Sequence, residues 1–350
     1  MTSIEHAIKE KYNDFCHRIL SGHSALILTH NFPDPDGLAA SMGLKRFFEH
    51  HNMAPCTVSF SGFIGRAENR EMIQQVNLAY EPFQKINLKE YERIIVVDTL
   101  PKNGNISIGE DVEVDAILDH HGDNKSIPDY DAVNLCFPEI GATSTIVYLL
   151  LKMGNIPIDT TLATALFYGI KTDTMNMARN YCDDDIIAYK ELFDLMDHKI
   201  LSRIENPKRE PQYLQYLHQG IEAFFTYNNF GYTHIGKVPV PDYIPEMADI
   251  FHKLDKLEWI VCSGFFGNSL LFSIRSLSEN RAGIYAYKLA TIFNGSGGGH
   301  STMAAGRIPA HDIGAELLLD RFQHALFSVF SINPESKKHV LDLTQELPSE

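Results

Sequence analysis

The sequence is poor in cysteine, and its five cysteines include no C-x-x-C pair. They are scattered along the chain, at Cys16, Cys56, Cys136, Cys182 and Cys262. A disulfide framework or a cysteine zinc site needs paired or regularly spaced cysteines, so both are excluded. The first segment, MTSIEHAIKEKYNDF, predicts a charged amphipathic helix and not a signal peptide. We therefore expect reduced thiols and a cytoplasmic location.

The sequence also lacks long apolar runs and an excess of positive charge. No run approaches the ~20 apolar residues that a membrane-spanning helix needs, so we expect no membrane partner. The formal net charge of −15 argues against binding along long duplex nucleic acid. It is compatible with a small or short nucleic-acid substrate that metal ions hold within a cluster of carboxylates.

The distribution of apolar residues indicates an α/β protein. The chain has 350 residues, 44% of them hydrophobic, and is long enough for two domains with separate cores. In the first half, the short apolar runs SALILTH, CTVSFSG, RIIVVDT and VDAILDHH alternate with helical patterns such as GLAASMGLKRFFEHH. This alternation predicts a layered domain with a parallel sheet, in which functional residues gather at the carboxyl ends of the strands.

A shift in composition after about residue 185 predicts the domain boundaries. We assign residues 1–185 to a first α/β domain, 186–218 to a helical linker, 219–332 to a second, smaller α/β domain, and 333–350 to a C-terminal tail. In the smaller domain, EWIVCSGFFGNSLLFSIRS predicts a hairpin that turns at Gly267–Asn268. The segment RAGIYAYKLATIFN predicts a helix.

Four clusters of polar side chains follow apolar segments of the first domain. In chain order they are His30, Asp34 and Asp36; Asp98; Asp119, His120 and His121; and Asp173. A mixture of imidazole and carboxylate suits Mn²⁺, Fe²⁺ or Zn²⁺ better than Ca²⁺, and no cysteine is among these residues. Each cluster alone has an ordinary explanation as a turn, a helix cap or a core histidine. Their shared position after apolar segments favours a metal site.

The spacing of these residues indicates how ions would be held. Two prolines restrict the first turn, so that His30 and Asp34 can face one ion while Asp36 can reach a second. A carboxylate at the end of a central strand, such as Asp98, can bridge two ions. Two ions about 3.5–4 Å apart can clamp a phosphoryl group and activate a water molecule.

The segment GSGGGHSTMAAG predicts an anion-binding loop in the second domain. Consecutive glycines let backbone N–H groups converge on a phosphate, and a helix starting at Ser301 would add its N-terminal dipole. A flexible loop is the alternative. Arg307 lies either near this site or on the surface, and the sequence does not decide between the two. The candidate substrate-binding residues are Arg275, Ser276, Gly297, Gly298, Gly299 and His300.

Taken in order, the segments HNFPDPD, VVDT, LDHH and GIKTDT resemble the motifs of the DHH phosphoesterase superfamily. The segments FSIRS and GSGGGHSTMAAG resemble the DHH-associated domain of nanoRNase/pAp-phosphatase and RecJ-like members. The resemblance covers roughly residues 20 to 325. It implies a hydrolase of two domains, with the active site in the interdomain cleft and two Mn²⁺ ions bound. One segment departs from the pattern, because TMNMARN stands where nanoRNases often have glycine and an aromatic residue.

The resemblance also implies a role for each polar residue of the four clusters. One ion would be held by His30, Asp34 and the bridging Asp98. The other ion would be held by Asp36, Asp98, His120 and Asp173. The two remaining residues would act in catalysis, His121 by contacting the phosphate and Asp119 by orienting a histidine.

Three functional hypotheses follow from the sequence. The first is a Mn²⁺-dependent phosphoesterase acting on short oligonucleotides, 3′-phosphoadenosine 5′-phosphate or linear dinucleotides; other divalent cations and a homodimer are compatible with it. The second is an inorganic pyrophosphatase or polyphosphatase with the same metal ligands, since ESKKH weakly resembles the S-R-K-K-Q signature of family II pyrophosphatases. The third is a non-catalytic nucleotide-binding sensor. The glycine-rich segment and FSIRS favour the first hypothesis over the second, and the complete set of metal ligands favours it over the third.

Overall fold

The structure, a computed structural model, describes residues 3–102, 104–109, 111–121, 131–277, 281–299, 301–310 and 314–342. The chain forms two compact units, Met1–Pro207 and Lys208–Glu350. No helix within the described ranges combines the length and the apolar character needed to cross a membrane.

The first unit is built on a six-stranded sheet in which every pair of neighbouring strands is parallel. The strands are β1 (Ala25–Leu28), β2 (Cys56–Phe60), β3 (Glu81–Pro82), β4 (Arg93–Val97), β5 (Ala116–Asp119) and β6 (Val133–Cys136). The helices are α1 (Ser3–Ile19), α2 (Pro35–His50), α3 (Ala67–Val76), α4 (Thr143–Met153), α5 (Thr160–Asp173), α6 (Asp183–Leu195) and α7 (His198–Glu205). The predicted α/β class with a parallel sheet is confirmed.

The strand order β3-β2-β1-β4-β5-β6 places a reversal of the chain path between β1 and β4. From β1 the chain builds outward through β2 and β3, and then returns to add β4 on the other side of β1. The loops after β1 and β4 therefore diverge, which opens a crevice at the carboxyl ends of the strands. Ligand sites of open parallel sheets lie at such positions.

The first unit extends beyond the composition shift at residue 185, because its core includes residues of the helices that follow the shift. Helices α6 and α7 bury Ala188, Leu192 and Ile204 in the same apolar cluster as residues of α2, α4 and α5. The predicted linker, residues 186–218, therefore consists of helices that pack within compact units. The third of them, α8 (Pro211–Glu222), packs in the second unit.

The second unit contains a seven-stranded mixed sheet in the order β11-β12-β10-β9-β8-β7-β13. Its strands are β7 (Phe225–Tyr227), β8 (Phe230–Lys237), β9 (Trp259–Phe266), β10 (Ser269–Ser276), β11 (Ser296–Gly299), β12 (Met303–Pro309) and β13 (Lys337–His339). Besides α8, its helices are α9 (Tyr243–Phe251), α10 (Ala282–Thr291) and α11 (Ala315–Val329). The predicted β9–β10 hairpin is confirmed by antiparallel pairing of Phe266 with Ser269. Strand β13, in the predicted tail, pairs with β7 at the sheet edge.

The glycine-rich segment adopts a different structure from the one expected. The prediction of a helix from Ser301 is wrong, because β12 begins at Met303 and pairs antiparallel with β11. The glycines of β11 allow helix α10 to approach closely. A Cβ atom on Gly297 would lie 2.5 Å from the carbonyl oxygen of Ala286, whereas one on Gly298 would meet nothing within 4 Å.

This packing predicts opposite outcomes for two adjacent substitutions. Gly297→Ala should lower the melting temperature, because overpacking against the α10 backbone costs about 1–3 kcal/mol. Gly298→Ala is the matched control and should leave the melting temperature unchanged or slightly raised. Thermal unfolding followed by circular dichroism measures both, and equal melting temperatures for the two variants would contradict the packing role of Gly297.

Candidate metal centre

The ends of three adjacent strands bring the predicted metal ligands together. His30 follows β1, Asp98 follows β4, and Asp119 ends β5, so all three lie at the carboxyl edge of the sheet. The first turn of α2 adds Asp34 and Asp36, and the end of α5 adds Asp173. Three groups of imidazole and carboxylate atoms are close enough to share an ion: His30, Asp34 and Asp98; Asp36, His120 and Asp173; and Asp98, His120 and His121.

Asp98 occupies the middle of this arrangement. One carboxylate oxygen, Oδ2, lies 3.6 Å from Nε2 of His30, and the other, Oδ1, lies 3.7 Å from Nε2 of His120. Its side chain is almost completely buried, and Oδ2 has no hydrogen-bond partner among the described residues. A buried carboxylate oxygen without a donor is costly unless a cation occupies the space that it faces.

The backbone of Asp98 is held in a conformation that few residues adopt. Its φ angle is 58°, in the left-handed region, and its N–H donates to the carbonyl oxygen of Leu118 at 2.8 Å. The hydroxyl of Thr143 donates to Oδ1 of Asp98 at 2.8 Å. Non-glycine residues with such angles cost about 1–3 kcal/mol and concentrate at functional sites. The strand end therefore turns the carboxylate inward at the expense of local strain.

Two histidines present the nitrogen that a metal requires. Nδ1 of His30 lies 3.0 Å from the carbonyl oxygen of Asn31, and Nδ1 of His120 lies 3.3 Å from that of Ile140. A carbonyl oxygen only accepts hydrogen bonds, so Nδ1 carries a proton in each ring and Nε2 is the nitrogen whose lone pair would bind an ion. Nε2 of His120 and Oδ2 of Asp173 are 2.9 Å apart, yet neither atom has a well-aligned hydrogen bond. Both atoms face a common space, as two ligands of one ion would.

Asp36 contacts both the candidate centre and the start of helix α4. Its carboxylate accepts the backbone N–H of Thr143 at 2.6 Å and that of Ser144 at 2.8 Å. These are the first two N–H groups of α4, which have no partner within the helix. Each carboxylate oxygen has a second lone pair, so that these bonds leave room for an ion.

Crowding of the carboxylates shifts their pKa values. Burial and the neighbouring charge of Asp173 raise the pKa of Asp36 to about 7. Burial, together with the charges of Asp36 and Asp34, raises the pKa of Asp98 well above its usual range. Burial lowers the pKa of His120, but the adjacent Asp173 outweighs that effect and raises it to about 9. Without a cation the centre therefore favours the protonated forms.

Asp34 differs from these carboxylates because it is half-exposed and caps helix α2. Its Oδ1 atom accepts the N–H groups of Asp36 and Gly37 at 3.0 and 3.1 Å. Burial acts to raise its pKa, but the hydrogen bond and charge of His30 outweigh burial and hold the pKa of Asp34 well below its usual range. Asp34 therefore ionises more readily than Asp36 or Asp98 in the absence of metal.

His121 and Asp119 form a separate pair beside the candidate ligands. Nδ1 of His121 donates to Oδ1 of Asp119 at 2.9 Å, and Asp119 is fully buried. The His121 side chain is 44% exposed and lies 3.7 Å from Oδ1 of Asp98. The histidine that Asp119 orients is thus His121, and the exposed edge of its ring faces solvent.

Several supporting residues were not singled out from the sequence. Asp185, at the start of α6, accepts the N–H of Gly141 at 2.7 Å and the hydroxyl of Thr145 at 2.5 Å, which fixes the loop that orients His120. Gly37 is needed because a Cβ atom there would lie 2.5 Å from Oγ1 of Thr29. In the sequence, Asp185 is the last of three consecutive aspartates that precede an apolar helix. Only its complete burial in the structure distinguishes it from the other two.

A positively charged side chain, that of Arg179, also lies beside the centre. It belongs to the TMNMARN segment, which departs from the nanoRNase pattern. Nη2 of Arg179 donates to the carbonyl oxygen of Asp173 at 3.2 Å and lies 3.6 Å from its Oδ1 atom. After Thr174, the first residue of the segment, Met175, Asn176 and Met177 have φ angles of 49°, 58° and 60°. Three consecutive non-glycine residues in this region are rare, and they turn the chain so that Arg179 returns to Asp173.

The predicted substrate-binding residues belong to the second unit. Arg275 is 5% exposed, its Nε donates to Asp249 at 2.5 Å, and its Nη1 donates to Oγ of Ser273 at 2.8 Å. Ser276 is buried and bonds through its N–H to Thr302. Gly297, Gly298 and Gly299 lie in β11, and His300 lies outside the described residues. The role of these residues in substrate binding, and the interdomain cleft, stay predictions.

Comparisons with known proteins agree with the motifs in the first unit. Residues 24–170 match the model described as DHH family, N-terminal domain. An uncharacterized protein of Methanocaldococcus jannaschii is 32% identical over 287 residues, which are 81% of this chain and 58% of that protein. The chain thus spans less than two thirds of the length of this relative.

Two solved structures share the fold over nearly the whole chain. An exopolyphosphatase-related protein from Bacteroides fragilis aligns over 91% of this chain and 96% of its own, with a TM-score of 0.72 and 16% identity. Exonuclease RecJ, bound to manganese, aligns over 97% of this chain and 96% of its own, with a TM-score of 0.50 and 12% identity. At these identities the likeness concerns the fold alone.

The raised pKa values predict how pH changes the effect of Mn²⁺ on stability. The folded, metal-free protein holds protons on Asp36 up to about pH 7 and on His120 up to about pH 9 that the unfolded chain has already released. The stabilisation that these protons provide is therefore complete at low pH and is lost as pH rises through those values. A divalent ion such as Mn²⁺ held by these ligands would replace the protons, so adding it should raise the melting temperature more at about pH 8 than at about pH 6.

Differential scanning fluorimetry with and without MnCl₂ measures this effect. Apparent Mn²⁺ affinity should rise by roughly a factor of ten per pH unit for each proton released. Asp98→Asn should remove the Mn²⁺-dependent increase, whereas Asp14→Asn, on an exposed position of α1, should retain it. A shift that is independent of pH, or that persists in Asp98→Asn, would contradict the assignment.

Proposed function

Because residues 24–170 carry the DHH family N-terminal domain, we propose that the protein is a Mn²⁺-dependent phosphoesterase. The observation that carries the proposal is the position of Asp98, whose two oxygens face His30 and His120 in separate ligand groups. Two divalent ions bound there would supply Lewis acidity for the oxygens of a phosphoryl group and for the attacking water. The unpartnered Oδ2 of Asp98 and Nε2 of His120 fit such ions.

The remaining residues of the centre have roles in binding and proton transfer. His121 is exposed and held through Nδ1 by Asp119, so its Nε2 edge is free to contact a phosphoryl oxygen and, when protonated, to donate to it. The guanidinium of Arg179 lies beside Asp173 and can form charge-assisted hydrogen bonds with the same phosphate. Both groups would act on the negative charge that the phosphoryl oxygens carry in the transition state.

We propose short oligonucleotides or small nucleotides as the substrates, including 3′-phosphoadenosine 5′-phosphate and linear dinucleotides. The net charge of −15 supports small substrates over long polymers, since electrostatic attraction along a polymer is lacking. The Bacteroides fragilis protein of similar fold is described as exopolyphosphatase-related, so polyphosphate belongs in the test. A contribution of Arg275, Ser276 and the β11 glycines to substrate binding is part of this proposal.

The proposed activity predicts Mn²⁺-dependent hydrolysis of nucleotides. The substrates to compare are 3′-phosphoadenosine 5′-phosphate, RNA and DNA of graded length, linear and cyclic dinucleotides, pyrophosphate and polyphosphate. Asp98→Asn should lower kcat/KM at least about a hundredfold, because removing even a group behind a metal ligand costs about 10–100-fold. Asp14→Asn serves as the control.

Release of mononucleotides from the shortest oligomers, or of phosphate from 3′-phosphoadenosine 5′-phosphate, is the expected result. Turnover of pyrophosphate or polyphosphate alone would replace the proposed substrate class with an inorganic one. Nucleotide binding without any hydrolysis, under conditions in which Mn²⁺ stabilises the protein, would indicate the non-catalytic sensor.

Arg179 provides a second prediction for the same reaction. Arg179→Ala should lower kcat/KM about 10–100-fold, since a charge-assisted hydrogen bond contributes about 1.5–3 kcal/mol. Arg179→Lys should recover part of the loss. The Mn²⁺-dependent rise in melting temperature should persist in both variants, which separates a phosphate contact from disruption of the ligands. Loss of that rise would instead assign Arg179 to the support of Asp173.

A further inference from the structure

Two phenylalanines are exposed beside the candidate metal ligands. Phe32 lies in the loop after β1, two residues from both His30 and Asp34, and 57% of its surface is exposed. Phe63 lies in the loop after β2, the neighbouring strand, and is 43% exposed. The two rings meet edge to face, with centroids 5.1 Å apart and an interplanar angle of 78°. We call Phe32 and Phe63 the aromatic pair.

The backbone of Phe32 is strained in a way that burial does not explain. Its φ angle is 55°, which is a genuine outlier for a bulky residue. An exposed phenylalanine gains little from removal of apolar surface from water, so core packing does not offset the strain. Strained positions of this kind concentrate at ligand-binding sites, where the conformation is needed for contact with the ligand.

The surrounding loops hold the Phe32 ring in place. The N–H of Phe32 donates to the carbonyl oxygen of Ser61 at 2.9 Å, and that of Asn31 donates to Asn105 at 2.7 Å. Gly62 lies directly against the ring, because a Cβ atom at Gly62 would be 2.6 Å from a ring carbon of Phe32. The Phe32 ring therefore packs against Gly62, and the backbone of Phe32 is hydrogen-bonded to the loop after β2. These contacts set the orientation of the ring before a ligand binds.

The position of the pair restricts what it can contact. Two residues of extended chain span at most about 7 Å, so the Cα atom of Phe32 lies within that distance of those of His30 and Asp34. A phosphate held by the first ligand group would carry its sugar and base into the same neighbourhood. Aromatic side chains bind bases by stacking, which is tolerant of sequence because every base has a π-face.

We infer that the aromatic pair of Phe32 and Phe63 is a stacking subsite for the base next to the reacting phosphate. The inference rests on the proposed nucleotide phosphoesterase and adds a substrate requirement to it. Phe63 lies in the aromatic segment FSGFIG, yet its side chain is exposed and not part of the core. A subsite of this kind selects base-bearing substrates over pyrophosphate and polyphosphate, and it discriminates little between one base and another.

The test compares a dinucleotide with an abasic analogue that keeps the same phosphodiester linkage. Phe32→Ala and Phe63→Ala should each lower kcat/KM for the base-bearing dinucleotide by about five- to hundredfold, mainly through KM. The same variants should leave hydrolysis of the abasic analogue nearly unchanged. Phe32→Trp should retain activity on the dinucleotide, because it keeps an aromatic face. Phe193→Ala is the matched control, since Phe193 is 46% exposed but lies on α6.

The outcomes separate this inference from the proposed function. An equal loss on both substrates would overturn the stacking subsite and assign the pair to support of the metal ligands, while leaving the phosphoesterase intact. Unchanged kinetics in both alanine variants would overturn the subsite as well. A wild-type protein that hydrolyses no nucleotide under any metal condition would overturn the proposed function, and the subsite would fall with it.

Discussion

The buried carboxylate of Asp98 is the constraint on which the rest of the candidate centre depends. Its two oxygens face histidines from different ligand groups, and its backbone adopts a left-handed conformation to place them there. The hydroxyl of Thr143 satisfies one oxygen and leaves the other for a cation. This geometry needs β1, β4 and β5 in register, because each strand delivers one of the residues at its carboxyl end.

Charge and structure are coupled at this end of the sheet. Asp36 caps helix α4 through Thr143 and Ser144, and Asp34 caps helix α2, so two candidate ligands also hold helix ends. Partial positive charge at those helix ends compensates some of the carboxylate charge. It does not compensate all of it, because the pKa values of Asp36 and Asp98 are still raised. Protons or divalent cations must supply the remainder, which links metal binding to pH and stability.

Close packing around the centre explains why several positions are occupied by glycine. Gly37 and Gly169 lie where a Cβ atom would approach Thr29 and Ser144, respectively, to 2.5 Å. The same reasoning applies in the second unit, where Gly297 permits the approach of α10. The sequence predicted that the β11 glycines bind an anion. For Gly297, close packing against α10 is sufficient to explain why the residue is glycine. Gly298 is not explained in this way, because its open side has space for a side chain.

The sequence by itself determined the parallel sheet, the β9–β10 hairpin and the order of polar residues after apolar strands. These features are local, since strand length, periodicity and turn residues are encoded in short segments. The tertiary structure decided which side chains meet. Three contacts join residues that are distant along the chain. Thr143 donates to Asp98, Asp185 accepts the N–H of Gly141, and Arg275 pairs with Asp249. Exposure of Phe32 and Phe63 was likewise undetermined, because an apolar residue in a loop is buried or exposed according to what the rest of the fold brings against it.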